Sequence, residues 1–213
     1  MEYVFGYGSL VSPESIESTL GHAIDREAFE YARISGWKRA WNVGSDRHSH
    51  PERTFLLPDG SAFTGVTVVL GLEPAPPTAV CDGSVFAVSE RDLTLLDVRE
   101  RNYDRVDVTS TVSAATWPEM PAGCRVYTYL PSALARRRID DAHASCRPIN
   151  VRRAYKDLVE AAFARTGRLE RYLRTTPPVP YPLDDMTAIV PAQADADDTA
   201  PVAQDGRGTR QNG

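Results

Sequence analysis

The chain opens on an apolar run, Tyr3-Val4-Phe5, that ends in Gly6-Tyr7-Gly8-Ser9-Leu10. A buried strand that stops in a tight loop has this pattern, and glycine lets a backbone approach its neighbour because no Cβ intervenes. Ser12-Pro13-Glu14 then reads as a helix start, with a hydroxyl at the cap, proline at the first position and an acid in the first turn. Ile16 and Leu20 supply that helix with an apolar face, and Gly21 ends it. From Arg26 to Val43, the residues Phe29, Tyr31, Trp37, Trp41 and Val43 stand mostly two or four apart, a strand period, with Gly36 at a bend between two strands. Thr54 to Leu57, the turn Pro58-Asp59-Gly60, and Ala62 to Leu72 predict a β-hairpin. Its second arm is almost continuously apolar from Val66 to Leu72, as a central strand is.

Further along, Gly83 to Val88 predicts a strand, and Ser89-Glu90-Arg91-Asp92 starts a short helix with a serine cap and an acid three residues on. Leu93 and Leu96 share its buried face, and Glu100 lies at its end. Val106 to Val112 and Val126 to Leu130 read as strands. The strongest helical period begins at Pro148 or Asn150, places Tyr155, Leu158, Val159, Ala162 and Phe163 on one face, and closes at Gly167; Leu169 to Leu173 is a short helix after it. Strands dominate the first two thirds and helices the last. That order predicts an α+β domain over residues 1–190 with a mainly antiparallel, curled or barrel-like sheet. Residues 191–213 turn to Ala, Asp, Gln, Thr and Gly with almost nothing to bury, a composition that predicts a disordered tail.

Composition narrows the function classes. A length of 213 residues suits one sizeable core, and a net charge of −5 without a basic face argues against nucleic acid as a partner. The one basic run, Arg136-Arg137-Arg138, is followed by Asp140 and Asp141 and reads as solvated surface. No stretch approaches the roughly 18 apolar residues of a membrane span, and no signal peptide precedes Tyr3. Cys81, Cys124 and Cys146 are odd in number and far apart, a pattern of reduced thiols, so a cytoplasmic location is expected.

Two stretches carry candidate chemistry. The Gly6–Leu10 loop runs into a helix start, so its amide N–H groups could cradle a carboxylate or an oxyanion; plain turn chemistry explains the same glycines. Glu100 stands at the negative end of a helix dipole, which raises a carboxylate's pKa toward the range useful for moving protons; a surface glutamate between Arg99 and Arg101 fits the same letters. His48 and His50 with Asp46 lack a convincing third metal ligand, and the Gly-x-Gly pair lacks the remainder of a dinucleotide or phosphate-loop motif.

Taken together, Tyr7-Gly8-Ser9-Leu10, Leu96-Asp97-Val98-Arg99-Glu100 and Tyr103 resemble the paired motifs of the gamma-glutamylcyclotransferase superfamily, which includes the ChaC-like enzymes. The resemblance spans about residues 1–185, with the Tyr155 helix and the proline-rich stretch after Thr176 also similar. It implies a small, mainly antiparallel mixed β-barrel with surrounding α-helices. It also implies an activity without cofactor or metal, in which a γ-glutamyl substrate closes on itself to 5-oxoproline and expels an amine or amino acid. Glu100 matches the family's catalytic acid/base; Gly6, Tyr7, Gly8, Ser9, Leu10 and Tyr103 are the implied substrate-binding residues. A small-molecule substrate is then the expected partner, with neither nucleic acid nor membrane. The alternative is a non-catalytic binder of γ-glutamyl or other carboxylate ligands on the same fold. Val11-Ser12 and Arg101-Asn102 depart from the ChaC-like pattern, which has a tryptophan after the first motif and glycines after the glutamate.

Overall fold

The computed structural model describes residues 1–114 and 123–189; the expected tail at 191–213 lies outside the described residues. Twelve strands fall among them: β1 (Glu2–Gly6), β2 (Glu30–Ser35), β3 (Trp37–Ser45), β4 (Thr54–Leu56), β5 (Val66–Pro74), β6 (Val80–Val88), β7 (Tyr103–Asp107), β8 (Val112–Ala114), β9 (Arg125–Pro131), β10 (Ile149–Arg152), β11 (Leu183–Asp184) and β12 (Thr187–Ile189). The helices are α1 (Pro13–Leu20), α2 (Glu90–Arg99), α3 (Ala133–Ala144), α4 (Arg153–Arg165) and α5 (Leu169–Thr175), with one 3-10 turn at Ser9–Val11.

The expected mixed, mainly antiparallel α+β architecture is present. Its ladders form three sheets, in the orders β7-β9-β1-β6-β2-β8, β11-β10-β5-β3 and β12-β4, and do not close into a single barrel. β1 sits inside the largest sheet, antiparallel to β6 and parallel to β9. β5 is central, as its apolar run requires, between β3 and β10.

Local signals fixed several elements. Ser12 caps α1 by accepting from the Ser15 amide at 3.3 Å, and Gly21 ends that helix in the left-handed region at φ 73°. Ser89 and Asp92 form a reciprocal capping box at the start of α2. Gly36 takes φ 79° between β2 and β3.

Other expectations are corrected. β4 and β5 are not hairpin partners: β4 pairs with β12, and only a Leu56–Ala62 bridge joins the two sides of the 58–60 turn. The stretch 106–112 splits between β7 and β8. The long helix begins at Arg153, because residues 149–152 are taken up as β10 beside β5. Arg136-Arg137-Arg138 lies on a helix, α3, whose buried side is only Ala135, Ile139 and Ala142; so few and such small apolar residues leave little periodicity to read. Leu158 points away from the core and is 37% exposed.

Three apolar clusters hold these layers together. One packs Val68 and Leu70 of β5 with Trp41 against Ile139, Val159, Phe163 and Tyr172 of the later helices. A second packs α1 and α2, through Ile16, Leu20, Leu93 and Leu96, onto Val4 and Phe86 of the large sheet. The third joins Phe5, Ile34, Val85 and Val126 to Leu72 of β5, linking the two sheets. Among the described residues no helix is long and apolar enough to cross a membrane.

The glycine at position 6 has a packing reason. A Cβ there would stand 2.4 Å from the Leu10 carbonyl oxygen, a contact with backbone and not with a movable side chain. Gly6→Ala should therefore displace the loop and destabilise the fold by about 1–3 kcal/mol, read as a lower chemical-denaturation midpoint. An unchanged midpoint would mean that the loop does not return over Gly6.

Candidate active site

The loop and the glutamate meet through a residue between them, Arg99. All five N–H groups of its guanidinium are used. Nε bonds the Glu100 carboxylate at 2.9 Å; Nη1 donates to Ser15 O at 2.7 Å and Thr19 Oγ1 at 2.9 Å; Nη2 donates to Ser9 Oγ at 2.9 Å and Ser15 Oγ at 3.0 Å. Helix α1 packs beside α2, so the end of α2 lies against the first turns of the chain. Ser9, Glu100 and Tyr103 all line one cleft of about 900 Å³.

The other loop residues do not line it. Gly6, Tyr7, Gly8 and Leu10 are buried, and Ser9 is the one residue of the five that is not. Tyr7 donates its hydroxyl to Tyr129 O at 2.5 Å. From beneath, Arg39, 1% exposed, donates Nε to Tyr7 O at 2.8 Å and Nη2 to Asp82 O, while its guanidinium lies 4.9 and 5.0 Å from the ring centroids of Phe163 and Tyr172. The loop is thus clamped on both sides. Beyond β1, the N–H groups of Gly8, Ser9 and Leu10 donate to no group among the described residues.

Glu100 ends α2, its amide bonded to Leu96 O and its own carbonyl accepting from Tyr103 N–H, each at 2.7 Å. Burial pushes its carboxyl above the ordinary glutamate range, while the charges of Arg99 and Arg53 and the Arg99 hydrogen bond pull the other way. The direction is the one expected for a helix C-terminus, but desolvation is the leading cause. Around it stand four tyrosines, Tyr7, Tyr103, Tyr129 and Tyr155, each held neutral first by burial and further by the Glu100 charge. Tyr103 donates to Leu70 O at 2.8 Å and Tyr155 accepts from Leu70 N–H at 3.2 Å, so two cleft residues satisfy both peptide groups of one β5 position.

The segment after Glu100 is pinned as well. Asn102, 6% exposed, contacts His50 Nε2 through Nδ2 at 3.1 Å and accepts from Arg138 Nη1 at 2.8 Å. His50 also contacts Glu52 at 3.0 Å and lines the cleft; burial lowers its pKa, which favours the neutral imidazole. Asp97, from the second motif, accepts from the Tyr129 hydroxyl at 2.9 Å. Sequence reasoning missed Arg99, Arg39, Asn102 and His50 as parts of this assembly. Arg99 alone was visible in advance, as the cation directly before the glutamate. Among the described residues no group of three or more His, Cys, Asp or Glu side chains could hold a metal ion.

Several solved structures are similar to this chain. One titled a gamma-glutamyl cyclotransferase is 18% identical, with 86% of this chain and 93% of that one covered and a TM-score of 0.45. A glutathione-specific gamma-glutamyl cyclotransferase from yeast is 19% identical over 61% of this chain and 68% of its own, TM-score 0.41. YkqA from Bacillus subtilis is 14% identical, 82% of this chain against 55% of that one, TM-score 0.47. No family model matches the chain, and no curated protein matches it.

Proposed function

We propose that the protein is a γ-glutamyl cyclotransferase that uses Glu100 as its acid/base. The observation that carries this reading is the Ser9–Arg99–Glu100 junction, which ties Ser9 of the loop and a largely desolvated, pKa-raised carboxylate together at one cleft. The substrate's α-amine nitrogen attacks its own γ-carbonyl carbon and the bond from that carbon to the leaving nitrogen breaks. The product ring is 5-oxoproline. Glu100 takes the proton lost by the ammonium and delivers it to the departing nitrogen, so no oxidant or second substrate is needed. Because the nucleophile is intramolecular, the protein gains chiefly by holding the reactive conformer. Ser9, the one residue of the loop that lines the cleft, would offer its amide N–H to the α-carboxylate or the developing oxyanion. Tyr103 would orient the glutamyl group from the cleft wall, and Tyr7 and Gly6 act by shaping the loop.

A substrate with a blocked α-amine tests the ring closure itself. γ-Glutamyl-alanine should yield 5-oxoproline and alanine, and N-acetyl-γ-glutamyl-alanine should yield neither. Glutamate released from the first compound, or N-acetylglutamate and alanine released from the second, would indicate hydrolysis and contradict the proposal.

The pH profile has a defined sign. Glu100 must be ionised to accept the proton, and its pKa is raised above 4.5. kcat/KM should therefore rise with pH through a midpoint above 4.5, with activity lost on the acid side. A profile flat down to pH 4.5 would show that another group carries the proton.

A further inference from the structure

A second cleft, of about 760 Å³, shares no lining residue with the one that holds Glu100. Edge strand β3 lines it from Lys38 to Trp41, and α5 with the proline-rich stretch that follows lines it from Tyr172 to Pro180. Trp41 Nε1 donates to Pro177 O at 3.0 Å, which ties that stretch to the strand. Trp41, Tyr172, Pro177 and Pro180 make its surface mostly apolar. The charges of the cleft do not balance. Lys38 is paired with Glu73 at 2.9 Å and Lys156 with Glu160 at 2.7 Å, so both of its acids are taken. Arg174 pairs with Glu170, which does not line the cleft. Arg39, the most buried of the lining residues, has no carboxylate partner among the described residues. Its Nε and Nη2 donate to the carbonyls of Tyr7 and Asp82, and its Nη1 has no hydrogen-bond partner. The Asp82 carboxylate itself is engaged by Tyr31 and Arg171. A buried cation without a counter-charge is costly, and an anion nearby in a medium of low polarity offsets that cost.

We infer that this cleft is a second ligand site, separate from that of the reaction, for a small carboxylate whose body is flat and apolar. The flat body matches the aromatic and proline faces of the walls, and the carboxylate answers the uncompensated charge of Arg39. The volume is that of small-molecule pockets in general. Arg39 Nε also holds Tyr7 O at 2.8 Å, so the site lies one hydrogen bond from the Gly6–Leu10 loop. The inference does not depend on the cyclotransferase reading.

Titration with 2-naphthoate and its uncharged match, 2-naphthamide, tests the site. The indole N–H resonance of Trp41, assigned through Trp41→Phe, is the local reporter. 2-Naphthoate should shift that resonance and bind about tenfold or more tightly than the amide, a difference that one buried charge supplies. Leu173→Glu, at a position 53% exposed, adds a like charge to the lining without touching the core. It should weaken 2-naphthoate by about threefold or more and leave 2-naphthamide unchanged. Arg39→Gln should abolish the preference for the carboxylate; should that variant fail to fold, Leu173→Glu decides. Equal affinity for the two compounds, or no binding of either at millimolar concentration, would overturn the site. So would 2-naphthoate binding that leaves the Trp41 resonance unmoved or that Leu173→Glu does not weaken. None of these readouts involves 5-oxoproline, so the reading of the reaction can fail while this one stands, and the reverse.

Discussion

Glu100→Gln should lose turnover by about 10²- to 10⁴-fold while the protein remains folded. The amide oxygen of glutamine can still accept from Arg99 Nε, so the geometry at the end of α2 is retained; only the ability to take up and release a proton disappears. Stability should change by no more than about 1 kcal/mol, because the lost charge-assisted bond is offset by relief of a buried carboxylate whose pKa burial has raised. Thermal denaturation and circular dichroism, measured on the same preparation as the turnover, read both halves of this expectation. Turnover within threefold of wild type would remove Glu100 from the chemistry.

Arg99→Met has the second large effect, of a different kind. The two side chains of the Arg99–Glu100 pair are 16% and 11% exposed, and removing one partner strands the other in a poorly solvated place. The Ser9, Ser15 and Thr19 oxygens lose their donor in the same step. A cost of about 3 kcal/mol is expected, with a marked fall in kcat. The acid limb of the pH profile should also move to higher pH, since both the charge and the hydrogen bond of Arg99 hold the Glu100 pKa down. The limb is the informative readout, because a merely structural loss would lower the rate without moving it. In Arg99→Met/Glu100→Gln the stability losses should fail to add, as they do for residues in direct contact.

Much of the site was legible because its signals are local. Ser12-Pro13-Glu14 and Ser89 with Asp92 are caps that act within four residues, so they placed the loop before α1 and Glu100 at the end of α2 without any tertiary information. The bond between those two stretches was not legible. It depends on α1 packing against α2, which brings Ser9 to Arg99 across 90 positions of chain. The false hairpin has the same origin: Pro58-Asp59-Gly60 is a good turn, yet β4 finds its partner in β12, more than a hundred residues later. Asn102 read as a departure from a motif, and packing made it a buried link between His50 and Arg138. Arg152 read as part of a helix. A short parallel pairing beside β5 turned it into the cap between β10 and α4, facing the cleft.

The central claim is the reaction, and product detection tests it most directly. Wild type and Glu100→Gln, prepared in parallel, are incubated with γ-glutamyl amino acids, γ-glutamyl amines and glutathione, and 5-oxoproline is quantified by mass spectrometry. The account predicts release from at least one γ-glutamyl amino acid by the wild type and a loss of about 10²-fold or more in the variant. Release that persists undiminished without the Glu100 carboxylate, or no release from any compound while the folded protein binds them, would contradict it.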